Sequence, residues 1–320
     1  MLKVHRFLLL YFYTSYFQLA LHHLCCSNMR IAIFGKAYDK SQQRYLQLLV
    51  DELNVRRADL CFYKPYYERI KNDVQLPNGL CFYETHVQLR HHADMMFSIG
   101  GDGTMLDTLP YVRDSGIPIL GINLGRLGFL SSISKDEIKE AVNNVWKGDY
   151  FIEKRALIEL VKPKKLFGDL NFALNDLTVY RNNTSSLITV HVYLNDKFLN
   201  TYWGDGLIVS TPTGSTAYSL SVGGPIVTPG SENFVIAPIA SHNLTVRPIV
   251  IQDSNIIRIR IEGRENKYLL TMDSRQGTLD INEEIIIKKC DFKVNLVQMK
   301  DKDFFATIRE KLLWGKDIRN

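Results

Sequence analysis

The stretch Gly100-Gly101-Asp102-Gly103-Thr104 sets a carboxylate inside a glycine turn. The apolar run Met95–Ile99 before it reads as a strand, and Thr104 opens a helical segment through Met105, Leu106 and Leu109. Glycines in such a turn permit positive φ and close backbone approach, and free N–H groups at a helix start favour anions. Gly100, Gly101, Gly103 and Thr104 are therefore candidates for a phosphate loop. Asp102 cannot hold a phosphate directly. It can hold a divalent cation that does, or take a proton from an attacking hydroxyl. A purely structural Asp102 would be the helix N-cap.

A second block, residues 203–227, reads WGDGLIVSTPTGSTAYSLSVGGPIV. Asp205-Gly206 leads into a strand at 207–210, then Thr211-Pro212-Thr213-Gly214-Ser215-Thr216, then a helix at about 215–222. Hydroxyls at this density offer neutral hydrogen bonds to a hydroxyl-rich ligand such as a nucleoside, with Tyr218 available to stack. Ser and Thr also crowd turns for the sake of their own backbone, but the length of this block goes beyond that. Asn175-Asp176, at the entry to a strand, pairs an amide with a carboxylate and could read a base edge and a ribose hydroxyl. Alone, such a pair is a turn signal. Gly125, Gly128 and Phe129 follow a buried strand and could border a phosphate or a ring; a structural crossover fits them equally.

Other chemistries find no support. His242 and Arg247 lie between prolines, where a lone histidine is ordinarily structural, and His91-His92 are adjacent and so diverge. The first strand, IAIF, is followed by GKAYDK rather than the dinucleotide fingerprint, and neither G-x-S-x-G nor a Walker A sequence occurs.

The elements that must position these residues fall into two styles. From residue 30 to about 148, short apolar runs (IAIFG, DLCFY, MMFSIG, IPILGIN) alternate with helical periodicity, which implies βαβ units and a parallel sheet. Ser134 with Glu137 makes a capping box for a helix running to Trp146. Beyond Gly148, strands such as ALIELV, LTVYR, LITVHVYL, IIRIRIEG and EIIIKKC follow one another closely, as antiparallel pairing requires. A terminal helix is expected at 304–313. The expected fold is α/β plus all-β: a Rossmann-like N-terminal domain with a parallel sheet at 29–148, a β-sandwich-like domain at 149–300, and a C-terminal helix at 301–320.

The chain has 320 residues, 46% apolar and 23% charged, with a formal charge of +5 spread without clusters. Nucleic acid is not indicated by that distribution. Five cysteines without a C-x-x-C pair speak against a disulfide framework or zinc site, and for free thiols in a reducing compartment. Residues 1–28 hold Lys3, His5 and Arg6, then a charge-free apolar run at 7–21, short for a membrane span. Three readings fit this leader: a start codon placed upstream of Met29, a secretory signal, or an interfacial anchor.

Taken together, GGDGT, LGFL, LND and DGLIVSTPTGSTAYSLSVGGPIV resemble the NAD kinases, in order and spacing, from Arg30 to about Leu313. The glycine-acid loop alone is shared with phosphofructokinases and lipid kinases, whereas TPTGSTAYSLS is specific. The resemblance implies a site in the cleft between the two domains, and transfer of the ATP γ-phosphoryl group to the adenosine 2′-hydroxyl of NAD. Asp102 then matches the proton acceptor, with NAD contacts at Asp102, Gly103, Phe129, Asn175, Asp176, Asp205, Thr216, Ala217, Tyr218, Ser219, Leu220 and Ser221. ATP as donor, a divalent cation (Mg²⁺ foremost) with unassigned ligands, and a homodimer or homotetramer are implied too. A cytoplasmic location without membrane partners follows, and Met29 as the start is favoured because the leader has no counterpart. Two departures stand out: Tyr202-Trp203 where a basic residue is frequent, and Met272-Asp273-Ser274-Arg275 where Asp-Gly-Gln is frequent. A diacylglycerol-type lipid kinase and a non-catalytic dinucleotide sensor are the alternatives.

Overall fold

The computed structural model describes residues 28–315 apart from 126–127, 165, 184–185 and 301. Residues 1–27, with Cys25, Cys26 and nearly all of the leader, lie outside the described residues.

Five strands run parallel in the order Cys81–Tyr83, Asp59–Tyr63, Arg30–Gly35, Met95–Ile99, Ile119–Asn123. Every residue of Met95–Ile99 and Ile119–Asn123 is buried, as in a sheet covered on both faces. The covering helices follow from sequence spacing: Gln43–Val55 buries Leu46, Leu49, Val50 and Leu53, one apolar stripe. Ser134 and Glu137 form the expected capping box, and Gly148, with φ of 71°, closes the helix Ile138–Lys147. The chain leaves Arg30–Gly35 toward one edge of the sheet and returns to Met95–Ile99 on its other side. That reversal opens a crevice at the carboxyl ends of these two strands, the usual ligand position in such sheets.

The short strand Ile133–Ser134, parallel to Ile119–Asn123, and two strands from beyond residue 148 complete this eight-stranded sheet. Val294–Met299 pairs parallel to Ile119–Asn123, and Tyr150–Arg155 lies antiparallel beside it. Between them the chain builds two six-stranded antiparallel sheets. One runs Ile249–Gln252, Asn233–Ile239, Gly206–Ser210, Asp176–Arg181, Lys267–Met272, Arg275–Asp280. The other runs Lys197–Gly204, Ile188–Leu194, Ile257–Glu262, Ile285–Lys289, Ile158–Lys162, Phe172–Ala173. Alternation sets their inner faces: Ile257, Ile259 and Ile261 are buried while Arg258 and Arg260 point out. Val179, Leu207 and Leu270 of one sheet share a core with Val190, Ile259 and Ile287 of the other, so the pair is a β-sandwich. The helix Phe304–Leu312 ends the fold. Among the described residues, no helix is long and apolar enough to cross a membrane.

Two expectations need correction. Cys61 and Cys81 are bonded to each other rather than free, because parallel register sets them directly opposite with Cα atoms 4.2 Å apart. Cys290 is a free, buried thiol. The helix expected at about 215–222 is instead a 3₁₀ turn, Thr213–Thr216, and a short helix, Tyr218–Ser221. Ala217, at φ −99° and ψ −131°, breaks the run between them.

Candidate functional site

Asp102 opens the helix Asp102–Val112 directly after the strand Met95–Ile99. Gly100 takes φ of 147°, a conformation only glycine adopts easily, and the side chain of Thr104 fills the place of its missing Cβ. Gly101 caps the helix through its backbone. Among the described residues outside its own helical turn, no atom lies within 4 Å of where a Gly103 Cβ would stand, so the space above it is open.

The Asp102 side chain does not cap its own helix. It turns to the loop after Ile119–Asn123, where Oδ2 accepts the Phe129 N–H at 2.7 Å, and Oδ1 accepts those of Leu130 and Ser131 at 2.9 and 3.0 Å. Gly128 is required for that approach, since a Cβ there would overlap Asp102 Oδ1. A carboxylate has about four acceptor positions, so three loop bonds leave one, on Oδ2. Two motifs read separately in the sequence are thus one unit.

In the sandwich, the segment 174–176 and the Thr211–Thr216 turn also close on each other. Thr211 N–H donates to the Asn175 carbonyl at 2.9 Å, and Thr211 Oγ1 donates to the Leu174 carbonyl at 2.5 Å. Gly214 lies so close to Asn175 that a Cβ would overlap its carbonyl oxygen. Asp273, in the sequence only a departure from the family pattern, locks this junction from the other side. Its carboxylate accepts the N–H groups of Leu174 at 2.9 Å and Asn175 at 2.8 Å. Its position, in the two-residue turn between Lys267–Met272 and Arg275–Asp280, is set by register.

Electrostatics separates the acids. Asp176 is 8% exposed and, among the described residues, accepts only the Thr178 hydroxyl, at 3.0 Å; burial, then the Asp273 charge, push its carboxyl up to about 6. Burial also raises Asp273, against the pull of its N–H donors and of Arg275. Asp205 is paired to Arg181 at 2.9 Å. Tyr218 is 43% exposed, its hydroxyl raised by desolvation and then by Tyr180, Asp176 and Asp205. Tyr218 thus lies within electrostatic reach of both Asp176 and Asp205. Thr216 is half-buried and donates to the Thr213 carbonyl at 3.2 Å; Ala217 and Leu220 are half-buried and Ser221 is exposed. Ser219 differs: it is fully buried beneath Gly224, behind the turn rather than on its surface.

Packing joins the two halves. Met105 and Leu109, on the helix that Asp102 opens, share a core with Leu174 and Phe172. Two polar contacts also cross. Arg155, 5% exposed and paired with Glu153, donates from Nη1 to Thr213 Oγ1 at 3.2 Å, while Ser274 Oγ donates to Asp107 Oδ1 at 3.3 Å. A cavity of about 260 Å³ lies beside Gly128 and Phe129, bounded by Arg155 and the helix Phe304–Leu312. Neither Arg155 nor Asp107 has a local signal in the sequence, because each acts on a partner remote in the chain. Among the described residues, no three His, Cys, Asp or Glu side chains gather as a cation site.

Comparison with known proteins gives one consistent result. Residues 32–150 match the ATP-NAD kinase N-terminal domain and residues 174–299 the ATP-NAD kinase C-terminal domain. The chain is 42% identical over 293 residues to the NAD kinase of Cytophaga hutchinsonii, covering 91% of this chain and all of that one. It is 43% identical over 294 residues to the NAD kinase of Flavobacterium psychrophilum, with the same coverage. Among solved structures, yeast NADH kinase complexed with NADH superposes with a TM-score of 0.80 at 24% identity, over 92% of this chain and 90% of that one. An NAD kinase from Archaeoglobus fulgidus in complex with ATP gives 0.64 at 25% identity, over 89% and 99%.

Proposed function

The chain belongs to the ATP-NAD kinase family, and we infer that it transfers the γ-phosphoryl group of ATP to the adenosine 2′-hydroxyl of NAD, giving NADP. The observation that carries this reading is the joining of two halves: the acid in a glycine turn, and the Asn175–Asp176 junction with its hydroxyl-rich turn, packed through one core.

In this reading the three loop N–H groups aim the Asp102 carboxylate, and its remaining acceptor position takes the ribose 2′-hydroxyl. A hydroxyl is a weak nucleophile at neutral pH, so a positioned carboxylate that receives its proton helps the attack. Phosphoryl transfer otherwise rests on alignment and charge neutralisation. Gly100, Gly101, Gly103 and Thr104 supply the turn on which the phosphates rest. NAD lies along Gly103, Phe129, Asn175, Asp176, Asp205 and residues 216–221, with the exposed Tyr218 ring stacking on it. Ser219, being buried, supports that surface from beneath.

The described residues lack the donor set of a resident metal centre. A divalent cation fits here only as a companion of the ATP phosphates, which bind Mg²⁺ with few protein ligands. We extend the proposal to a cytoplasmic homodimer or homotetramer, the form the family resemblance implies. A lipid acceptor has no use for the hydroxyl-rich turn, and a mere sensor has none for Asp102.

The test is direct. Purified protein given NAD, ATP and Mg²⁺ is expected to form NADP, read by an NADP-specific dehydrogenase. Folded protein that forms none refutes the reading.

A further inference from the structure

We propose that Lys36 is a specificity-determining residue that holds the polyphosphate of the donor nucleotide. This rests on the kinase reading above and goes beyond it, to where the donor lies and which side chain recognises it.

Lys36 directly follows the strand Arg30–Gly35, whose Gly35 is in register with Ile99 of the strand Met95–Ile99. Lys36 therefore leaves the sheet level with Gly100, at the crevice where the strand order reverses. Its ammonium lies 2.7 Å from Asp107 Oδ2. Asp107 stands four residues after Gly103 on the helix Asp102–Val112, so the two share one helix face. The cation is thus held beside the face of the open space above Gly103. Asp107 also accepts Ser274 Oγ from the sandwich, so the pair sits where the two halves meet.

Charge availability separates Lys36 from the arginines described around the site. Arg155 is enclosed by Glu153 and Thr213, and Arg181 by Asp205, with side chains only 6% and 18% exposed. Arg275 donates to the carbonyls of Leu170 and Phe172, and its side chain is 22% exposed. The Lys36 side chain is 68% exposed, against 20% for its single carboxylate partner, so the ammonium end of the pair is open to solvent. Pairs of that kind hold weakly and exchange readily for a stronger anion. A triphosphate carries several charges and many acceptor oxygens, which a compact, flexible ammonium suits well. Asp107 parks the cation over the glycine turn in the free protein, and the incoming phosphates replace it.

The experiment compares Lys36→Met, Lys36→Arg and wild type, with Lys71→Met as a control that removes a surface charge paired to Glu68. Steady-state rates are taken with ATP varied at saturating NAD, and with NAD varied at saturating ATP. ATP binding without NAD is followed by calorimetry, which needs no turnover. In Lys36→Met, KM for ATP and its dissociation constant rise about tenfold or more, as loss of a charge-assisted contact requires. KM for NAD stays within about twofold, Tm is unchanged, Lys36→Arg recovers most of the loss, and Lys71→Met behaves as wild type. Unchanged ATP affinity in Lys36→Met overturns the proposal, and so does an equal rise in both KM values. Failure of wild type to make NADP refutes the kinase reading instead, and leaves the calorimetric comparison to decide on Lys36.

Discussion

Asp102 and Asp176 are both acids at the ends of buried strands, yet their surroundings are opposite. Asp102 receives three backbone N–H groups from one loop, while Asp176 receives one side-chain hydroxyl and faces the charge of Asp273. The parallel sheet places its acid where a loop of free N–H groups passes, so the charge is solvated by the fold. The sandwich brings two carboxylates together in a core, so charge there is a strain. The first arrangement fixes the direction of a carboxylate, as the proposed proton acceptor requires. The second gives a carboxyl whose state changes near neutral pH and which can accept or donate to a ligand hydroxyl.

The largest expected effect comes from removing the aimed charge. Asp102→Asn lowers kcat by about 10²–10⁴-fold, the usual contribution of a positioned base. NAD affinity changes far less, because the hydroxyl-rich turn belongs to the other half. Single-turnover rates and NAD titration separate the two quantities. Near-normal kcat in this variant removes Asp102 from proton transfer and makes it an anchor of residues 128–131 only.

Next come the two glycines that allow the close approaches, one in each half. Gly128→Ala drives a methyl into Asp102, and a displacement of about 1 Å at a reacting group can cost about 10²-fold in rate. Gly214→Ala drives a methyl into the Asn175 carbonyl and disturbs the proposed NAD surface. The first is expected to act on kcat and the second mainly on KM for NAD, each losing about 1–3 kcal/mol of stability through overpacking. Equal effects of both variants on both constants would erase the division of labour between the halves.

What was legible in the sequence follows from how local each signal is. Met95–Ile99 announces itself as an apolar run stopped by glycines, and Ile257–Glu262 by strict alternation. Arg275–Asp280 contains a glycine and buries only Leu279, so it reads as loop until a partner strand is known. The return of Val294–Met299 to the first sheet leaves no local trace, because its partner, Ile119–Asn123, lies far back in the chain. The same holds at the site. Asp102 and the 211–221 turn carry their chemistry in adjacent residues, whereas Asp273 acts on Leu174 across 99 positions. The Cys61–Cys81 bond is likewise a fact of register, invisible to cysteine spacing.

The smallest effect tests the strained half. Asp176 has a folded value of about 6, against about 3.9 for a free aspartate. Below about pH 4 the carboxyl is protonated in both folded and unfolded chains, and nothing is lost. Between about pH 4 and 6 the unfolded chain releases the proton while the folded protein keeps it, so stability falls as pH rises. Above about pH 6 the full cost remains, on the order of 2–3 kcal/mol. Asp176→Asn lacks this ionisation and keeps an oxygen for Thr178. Its Tm is therefore expected to match wild type near pH 4 and to exceed it by a growing margin up to about pH 6.5, then by a constant one. The gain in stability is expected to come with a higher KM for NAD, because in the proposed site the charge that strains the core is the one offered to the ligand. A Tm difference that does not vary between pH 4 and 7.5 would show that Asp176 is no more strained than Asp102, and the contrast between the two halves would be lost.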